Sequence, residues 1–189
     1  MNEYLIKTLK LDDEQLKIYI DPEPINPRDW DNLGKMICWH NRYDLGDKHD
    51  YTIDEFHEFL EKTNTVTLPL FLLDHSGLRM KNTSFNDPWD SGKVGYIYIT
   101  YDDIRKEYDR KRVSKKLITQ VYKILQGETE TYNQYISGDT YCYTLSKLIT
   151  CNLNEVHEEF IDSCGGFYGF NFKENGLLDH VGQKWRNLL

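Results

Sequence analysis

Two short segments of the chain combine the residue types needed for proton transfer. They are residues 74–77 (Asp-His-Ser-Gly) and 88–92 (Pro-Trp-Asp-Ser-Gly), and each lies beside an apolar run. An imidazole next to a carboxylate can act as a base toward a hydroxyl, and a carboxylate next to a hydroxyl can bind a metal ion or a phosphate. If Asp74, His75 and Asp90 converge, they would form an acid/base or metal-dependent hydrolytic site. The same sequences are typical of turns in which Asp and Ser bind the backbone, so both interpretations stay open.

These segments belong to a set of five polar, glycine-bearing clusters, at residues 27–34, 74–77, 88–92, 132–139 and 162–169. Each cluster adds Asp, Asn or Ser to its glycines, and four of the five also contain a large aromatic residue. Loops of this composition fold back and pack, and such loops often carry a binding site. The candidate binding-loop residues are Trp30, Asp31, Trp89, Ser91, Asp139 and Asp162.

The cysteines and histidines give no pattern that calls for a metal or a cofactor. Cys38, His40 and His49 offer sulfur and nitrogen ligands, but their spacing matches no compact zinc motif. We therefore predict a buried Cys38 with surface histidines. The four cysteines contain no Cys-x-x-Cys pair, which favours free thiols in a reducing compartment. Cys164 has no neighbouring base in the sequence, and a bulge at its glycine pair is the favoured interpretation.

The charge is unevenly distributed along the chain. The net charge is −8, yet residues 61–126 are net positive between two net negative segments. Most of this surplus lies in seven residues, here called the basic segment: Arg105, Lys106, Arg110, Lys111, Arg112, Lys115 and Lys116. One interpretation is an ordinary solvated helix face. The other is contact with RNA or DNA phosphates, with Tyr101 and Tyr108 stacking on bases.

The elements that must position these residues indicate an α+β fold with a mostly antiparallel sheet. Its 189 residues, rich in Tyr and Phe, suit one domain, in which residues 1–60 could form an acidic N-terminal lobe. One long helix and two or three shorter ones are expected. Thr52 with Glu55 opens the first, Asp102 or Asp103 caps a short one, Ser114 caps the long one, and residues 176–189 form the last. Apolar and alternating runs predict strands at 16–20, 36–39, 66–73, 78–80, 94–100, 140–145 and 156–161.

No apolar run approaches the roughly 20 residues that cross a bilayer, and the N-terminus lacks the features of a signal peptide. We therefore predict a cytoplasmic protein without a membrane partner. The sequence carries no signal for an oligomeric state.

Five blocks together resemble a family of small proteins encoded by bacteriophages, plasmids and integrative elements. The resemblance extends from about residue 26 to residue 180, and the blocks occur in the same order: WDNLGKMICWHNRYDLGDKH (30–49), DHSG (74–77), PWDSGKVGYIY (88–98), YNQYISGD (132–139) and DSCGGFYG (162–169). The resemblance implies a genetic context but no reaction, so no catalytic residue is carried over.

Small acidic proteins of mobile elements often block host defence, and an anti-CRISPR protein is the most concrete form of this hypothesis. Its expected partner is a host defence protein such as a CRISPR effector, or RNA through the basic segment. The alternative is a hydrolase or nuclease built around Asp74, His75 and Asp90. A structural accessory protein of the element is a third hypothesis.

Overall fold

The computed structural model describes residues 4–151 and 155–189, and they form eight strands and four helices. The strands are β1 (Leu5–Leu11), β2 (Glu14–Ile20), β3 (Lys35–Cys38), β4 (Thr65–Asp74), β5 (Leu78–Lys81), β6 (Ser91–Thr100), β7 (Thr140–Thr150) and β8 (Val156–Tyr168). The helices are α1 (Ile53–Lys62), α2 (Tyr101–Glu107), α3 (Lys115–Ile136) and α4 (Leu177–Val181). All strand pairs in both sheets are antiparallel, so the predicted α+β class is confirmed.

The chain divides into two compact units. Unit 2 is the continuous stretch 26–137, whereas unit 1 combines residues 1–25 with residues 138–189. Residue 60, the limit considered for an acidic lobe, lies inside α1 and is not a boundary between these units.

Unit 2 is a sheet of order β3-β6-β4-β5 with a helix on each face. Alternation along β6 directs Ile97 toward α3, where it packs with Leu125, and directs Tyr98 toward Phe56 of α1. Pro69 of β4 lies opposite Tyr96, and its carbonyl oxygen accepts a hydrogen bond from Asn82. The sheet is therefore covered on both sides, and the polar clusters are left at its ends.

Unit 1 is a sheet of order β1-β2-β7-β8, and its core lies under the C-terminal segment. Leu177, Leu178, Val181 and Trp185 are all buried there. The predicted continuous helix over 176–189 is wrong, because α4 ends at Val181. Gly182 then takes a φ of 93°, and a 3₁₀ turn carries Trp185 into the core.

Most helix boundaries follow their predicted signals. Thr52 and Glu55 form a reciprocal capping box, and Ser114 caps α3, which continues through Gly127. The cap of α2 is different, because the hydroxyl of Thr100 accepts the backbone N–H of Asp103. The predicted capping residues, Asp102 and Asp103, thus lie in the first turn, where their negative charges interact favourably with the helix dipole.

Helical spacing places two apolar residues on the core-facing stripes of α1 and α3, but the structure leaves both exposed. Ile53 of α1 and Tyr122 of α3 keep 50% and 41% of their surface in solvent. Phe56 and Val121 of the same helices are buried, so the buried stripes are narrower than the sequence suggests. Asn152 and Asn154, between the strands predicted at 140–145 and 156–161, lie outside the described residues. Within the described chain, no helix has the length and apolar character needed to cross a membrane.

Candidate functional groove

The clusters at 74–77 and 88–92 meet because β4 and β6 are adjacent. β4 ends at Asp74, β6 begins at Ser91, and Leu73 pairs directly with Ser91. The backbone N–H of Asp74 donates to the carbonyl oxygen of Asp90 at 2.8 Å. His75 Nδ1 lies 2.6 Å from Asp90 Oδ2. The three residues of the hydrolase hypothesis are therefore neighbours at one end of the sheet.

The carboxylate of Asp74 is held by two residues that the sequence did not single out. Arg42 Nη1 donates to Asp74 Oδ2 at 3.0 Å, and the hydroxyl of Tyr43 donates to Oδ1 at 3.4 Å. Both partners lie in the 30–49 block, more than thirty positions from Asp74, and nothing in the local sequence links the two segments. The carboxylate of Asp74 is therefore bound by Arg42 and Tyr43, whereas His75 pairs with Asp90.

The turn before β6 is tied by Asp87, and not by Asp90 as the turn interpretation predicted. Asp87 Oδ1 accepts the backbone N–H groups of Trp89 and Asp90 at 2.9 and 3.0 Å. These hydrogen bonds lower the pKa of Asp87. Ser91 Oγ donates to the carbonyl oxygen of Asp87, so its hydroxyl is engaged by the backbone. Asp90 is left to pair with His75.

The pairing with Asp90 changes the proton affinity of His75. The hydrogen bond to Asp90, followed by the charges of Asp90 and Asp87, raises the pKa of His75 above its ordinary value. A histidine with a raised pKa carries its proton nearer to neutral pH, so it suits a general acid better than a general base. The side chain is 67% exposed, which leaves it accessible to a ligand.

Asp74, Asp90 and Ser91 line an open groove of about 490 Å³, here called the β4–β6 groove. Its walls include His40, Arg42, Trp89 and Lys93. Trp89 is 91% exposed, and the ring of His40 stacks on Tyr43 at 5.1 Å. His40 Nδ1 accepts the backbone N–H of Arg42 at 3.2 Å, which places the proton of a neutral ring on Nε2. The two cations, the imidazole of His40 and the exposed indole of Trp89 suit a phosphorylated or nucleotide ligand.

No family model, curated protein or solved structure matches this chain.

The basic segment is exposed and only partly neutralised. Arg105 pairs with Asp102 and Lys106 with Asp103, both within α2. In residues 4–151 and 155–189, no ion pair is formed by the other five members: Arg110, Lys111, Arg112, Lys115 and Lys116. Tyr101 and Tyr108, the predicted stacking residues, are partly buried and pack against the core of unit 2.

The first cluster contains a buried ion-pair network. Arg28 donates to both carboxylate oxygens of Asp47 at 2.8 Å and to Glu128 Oε2 at 3.1 Å. Glu128 Oε1 also accepts the backbone N–H of Leu33 at 2.8 Å. The Arg28 side chain is only 4% exposed, so its task is to join this loop to α3. Of the predicted binding-loop residues here, Trp30 is 46% exposed and Asp31 is exposed.

The last two clusters hold predicted binding-loop residues in structural contacts. The carbonyl oxygen of Asp139 accepts the backbone N–H of Gly169 at 2.8 Å, and Asp162 Oδ2 accepts the hydroxyl of Tyr143 at 2.5 Å. Both contacts lie in unit 1, whereas the β4–β6 groove lies in unit 2. The predicted bulge is present, since the β7–β8 register shifts between Tyr141 and Tyr143.

Cys38 is buried as predicted, and burial raises the pKa of its thiol to about 12. Its carbonyl oxygen lies 2.9 Å from Nε2 of His49. The expectation that His49 is a surface residue is wrong in part, because its Nδ1 atom is enclosed without a hydrogen-bond partner in the described chain. These contacts hold the loop after β3 against the sheet.

Proposed function

We propose that this protein is an anti-defence protein of mobile genetic elements that inhibits a host RNA-guided nuclease, an anti-CRISPR activity, with the basic segment contacting the guide RNA. The observation that carries the proposal is the group of five exposed cationic side chains that form no ion pair within the described residues, on a chain of net charge −8. The resemblance of five sequence blocks to proteins of mobile elements supports the genetic context.

The position of the two lysines supports a ligand-binding role. Lys115 and Lys116 occupy the first turn of α3, which contains no acidic residue. Cations are unfavourable at a helix N-terminus, because the backbone N–H groups there already carry partial positive charge. Helix stability therefore does not account for these lysines. A phosphate group would be attracted by both the side chains and the helix end.

The same argument predicts a strong dependence on salt. Each phosphate that a cationic side chain neutralises releases a counterion, so affinity falls as salt rises. If all five side chains contact single-stranded RNA, the slope of log K against log salt reaches about −3.5. An affinity that is independent of salt would contradict binding through this segment.

The experiment is affinity capture from bacterial host lysate, with and without ribonuclease, with the captured proteins and RNA both identified. The wild-type protein is compared with Lys115→Glu/Lys116→Glu and with the charge-matched control Lys48→Glu/Lys123→Glu. We expect the wild type and the control to recover a nuclease with its guide RNA, and the first variant to lose it. Equal recovery by both variants would remove the basic segment from the proposal. If no defence protein is recovered, the anti-defence proposal fails.

A hydrolase or nuclease is the second candidate function. The His75–Asp90 pair beside Arg42 and Lys93 supports it, since a general acid next to cations suits phosphodiester cleavage. The test is cleavage of labelled single-stranded RNA by the purified protein, with His75→Gln and Asp90→Asn as variants. His57→Gln, the same change elsewhere in unit 2, is the control. Absence of cleavage by the wild type, or cleavage that survives both variants, would exclude this candidate.

A further inference from the structure

The β7–β8 hairpin of unit 1 brings three different metal-binding side chains to one face. Ile149 pairs with His157 and Thr150 with Val156, and the backbone N–H of Cys151 donates to the carbonyl oxygen of Glu155 at 2.9 Å. Side chains of directly opposed residues lie on the same side of a hairpin, and positions two apart in a strand share a face. Cys151, Glu155 and His157 therefore project together.

The distances fit the coordination shell of a single ion. Sγ of Cys151, a carboxylate oxygen of Glu155 and a ring nitrogen of His157 all lie within 4.8 Å of one another. His157 Nε2 is 3.8 Å from Glu155 Oε2, which is too long for a hydrogen bond. Ligands of a tetrahedral zinc ion, with bonds of about 2.0–2.3 Å, are separated by about 3.3–3.8 Å. Small side-chain rotations would close the set around an ion.

We propose that Cys151, Glu155 and His157 form a zinc-binding site at the end of this hairpin. A thiolate and an imidazole select zinc over magnesium or calcium, which prefer oxygen ligands. The thiol of Cys151 releases its proton when the metal binds, and the thiolate and carboxylate together balance the charge of the ion. Three protein ligands leave the fourth position to water or to a ligand from a partner.

The site is independent of the proposed function. It uses no residue of the basic segment or of the β4–β6 groove, and it lies in the other unit. Glu155 and His157 are about two-thirds exposed, so a metal ion can reach them without unfolding of the chain. Metal binding at this hairpin would join β7 and β8 at the end where their backbone pairing stops.

The test is a titration of the full-length, reduced protein with Co²⁺ followed by absorbance. We expect one Co²⁺ per chain, tetrahedral d–d bands, a thiolate-to-cobalt charge-transfer band, and displacement of all of them by Zn²⁺. Cys151→Ser should lose the charge-transfer band, and His157→Asn should weaken binding. Cys164→Ser, the same substitution elsewhere on β8, is the matched control and should keep the band.

Three results would overturn the proposal: no charge-transfer band in the wild type at millimolar Co²⁺, a band that persists in Cys151→Ser, or a band lost in Cys164→Ser. Circular dichroism melting shows whether each variant is folded. If Cys151→Ser does not fold, Glu155→Gln and His157→Asn decide instead, and unchanged Co²⁺ affinity in both would exclude the site.

Discussion

Arg28 and Asp47 are joined by two parallel hydrogen bonds of 2.8 Å between residues nineteen positions apart. The pairing is bidentate, and Arg28 Nη2 also donates to the carbonyl oxygen of Gly34 at 2.6 Å. Asp47 in turn accepts the backbone N–H of Met36 at 2.8 Å. Two loops and the start of β3 are thus fixed by one guanidinium group, whose pKa these carboxylates raise against the opposing effect of burial.

Replacing Arg28 should therefore destabilise the protein strongly. Arg28→Ala leaves the carboxylates of Asp47 and Glu128 without their cation, and breaking a buried ion pair costs about 3–5 kcal/mol. Arg28→Lys should recover only part of this loss, because lysine cannot pair with a carboxylate in the bidentate geometry. Urea unfolding measures the change. Arg110→Ala is the exposed control, and an equal loss in both alanine variants would contradict the role of the network.

The β3–β6 contact predicts opposite effects for two glycine substitutions. A Cβ atom on Gly95 would lie 2.0 Å from the carbonyl oxygen of Ile37 on β3, so Gly95→Ala must push the strands apart. Gly127 lies within α3, and apart from its chain neighbours and the backbone of its own helix no atom of the described residues lies within 4 Å of its Cβ position. Gly127→Ala should raise the free energy of unfolding by about 0.5–1 kcal/mol, and Gly95→Ala should lower it by about 1–3 kcal/mol or more. Thermal melting of both variants checks the signs, and stabilisation by Gly95→Ala would refute the predicted clash.

The His75–Asp90 pair predicts a specific pH dependence. Because Asp90 raises the pKa of His75, the folded protein holds this proton more tightly than the unfolded chain. The contribution to stability is thus fully present below the ordinary pKa of 6.5 and is lost as pH rises through the higher folded value. An NMR titration of the His75 ring should give a lower midpoint in Asp90→Asn. Identical midpoints in the two proteins would mean that the pair does not form in solution.

Thiol reactivity should separate Cys38 from the rest of the chain. Its thiol is buried and has a pKa of about 12, so almost no thiolate is present at neutral pH. We expect Cys38 to resist a disulfide reagent such as DTNB until the protein is unfolded in urea. Cys151, which is partly exposed, should react in the native state. Cys38→Ser is the control, and the fast-reacting thiols of the native protein are counted in it and in the wild type. If the variant has one fast-reacting thiol fewer than the wild type, Cys38 reacts in the native state and the prediction is wrong.

Strands and helix caps were predictable because their signals are local. The apolar run of β6 and the Thr52–Glu55 box each lie within a few residues, and the strand and the capping box are both present as expected. The α2 cap was misassigned because Thr100, Asp102 and Asp103 are all good capping residues, and only the path of β6 selects the first. Such a choice depends on where the chain enters the helix.

Only part of the β4–β6 groove could be predicted, because some of its residues are brought together by long-range contacts. Asp74, His75 and Asp90 follow from strand ends that the sequence marks, so their neighbourhood could be anticipated. Arg42 and Tyr43 come from a loop whose fold is fixed by Arg28, Asp47 and other long-range contacts. A charged residue that is buried cannot be told from an exposed one by its sequence alone. The sequence therefore contains no signal for the ion-pair network of Arg28.

The arrangement of the strands has a consequence for synthesis on the ribosome. Unit 2 is contiguous, so its sheet can assemble as soon as residue 137 has emerged. At that point β2 can pair with β1 but not with β7, although Ile18 pairs with Tyr143 of β7 in the folded protein. We therefore expect nascent chains arrested after residue 137 to show protease-resistant fragments from the middle of the sequence while Leu16 and Ile18 remain open to chaperones. Protection of β2 in such arrested chains would show instead that another part of the chain buries the β1–β2 hairpin before β7 is made.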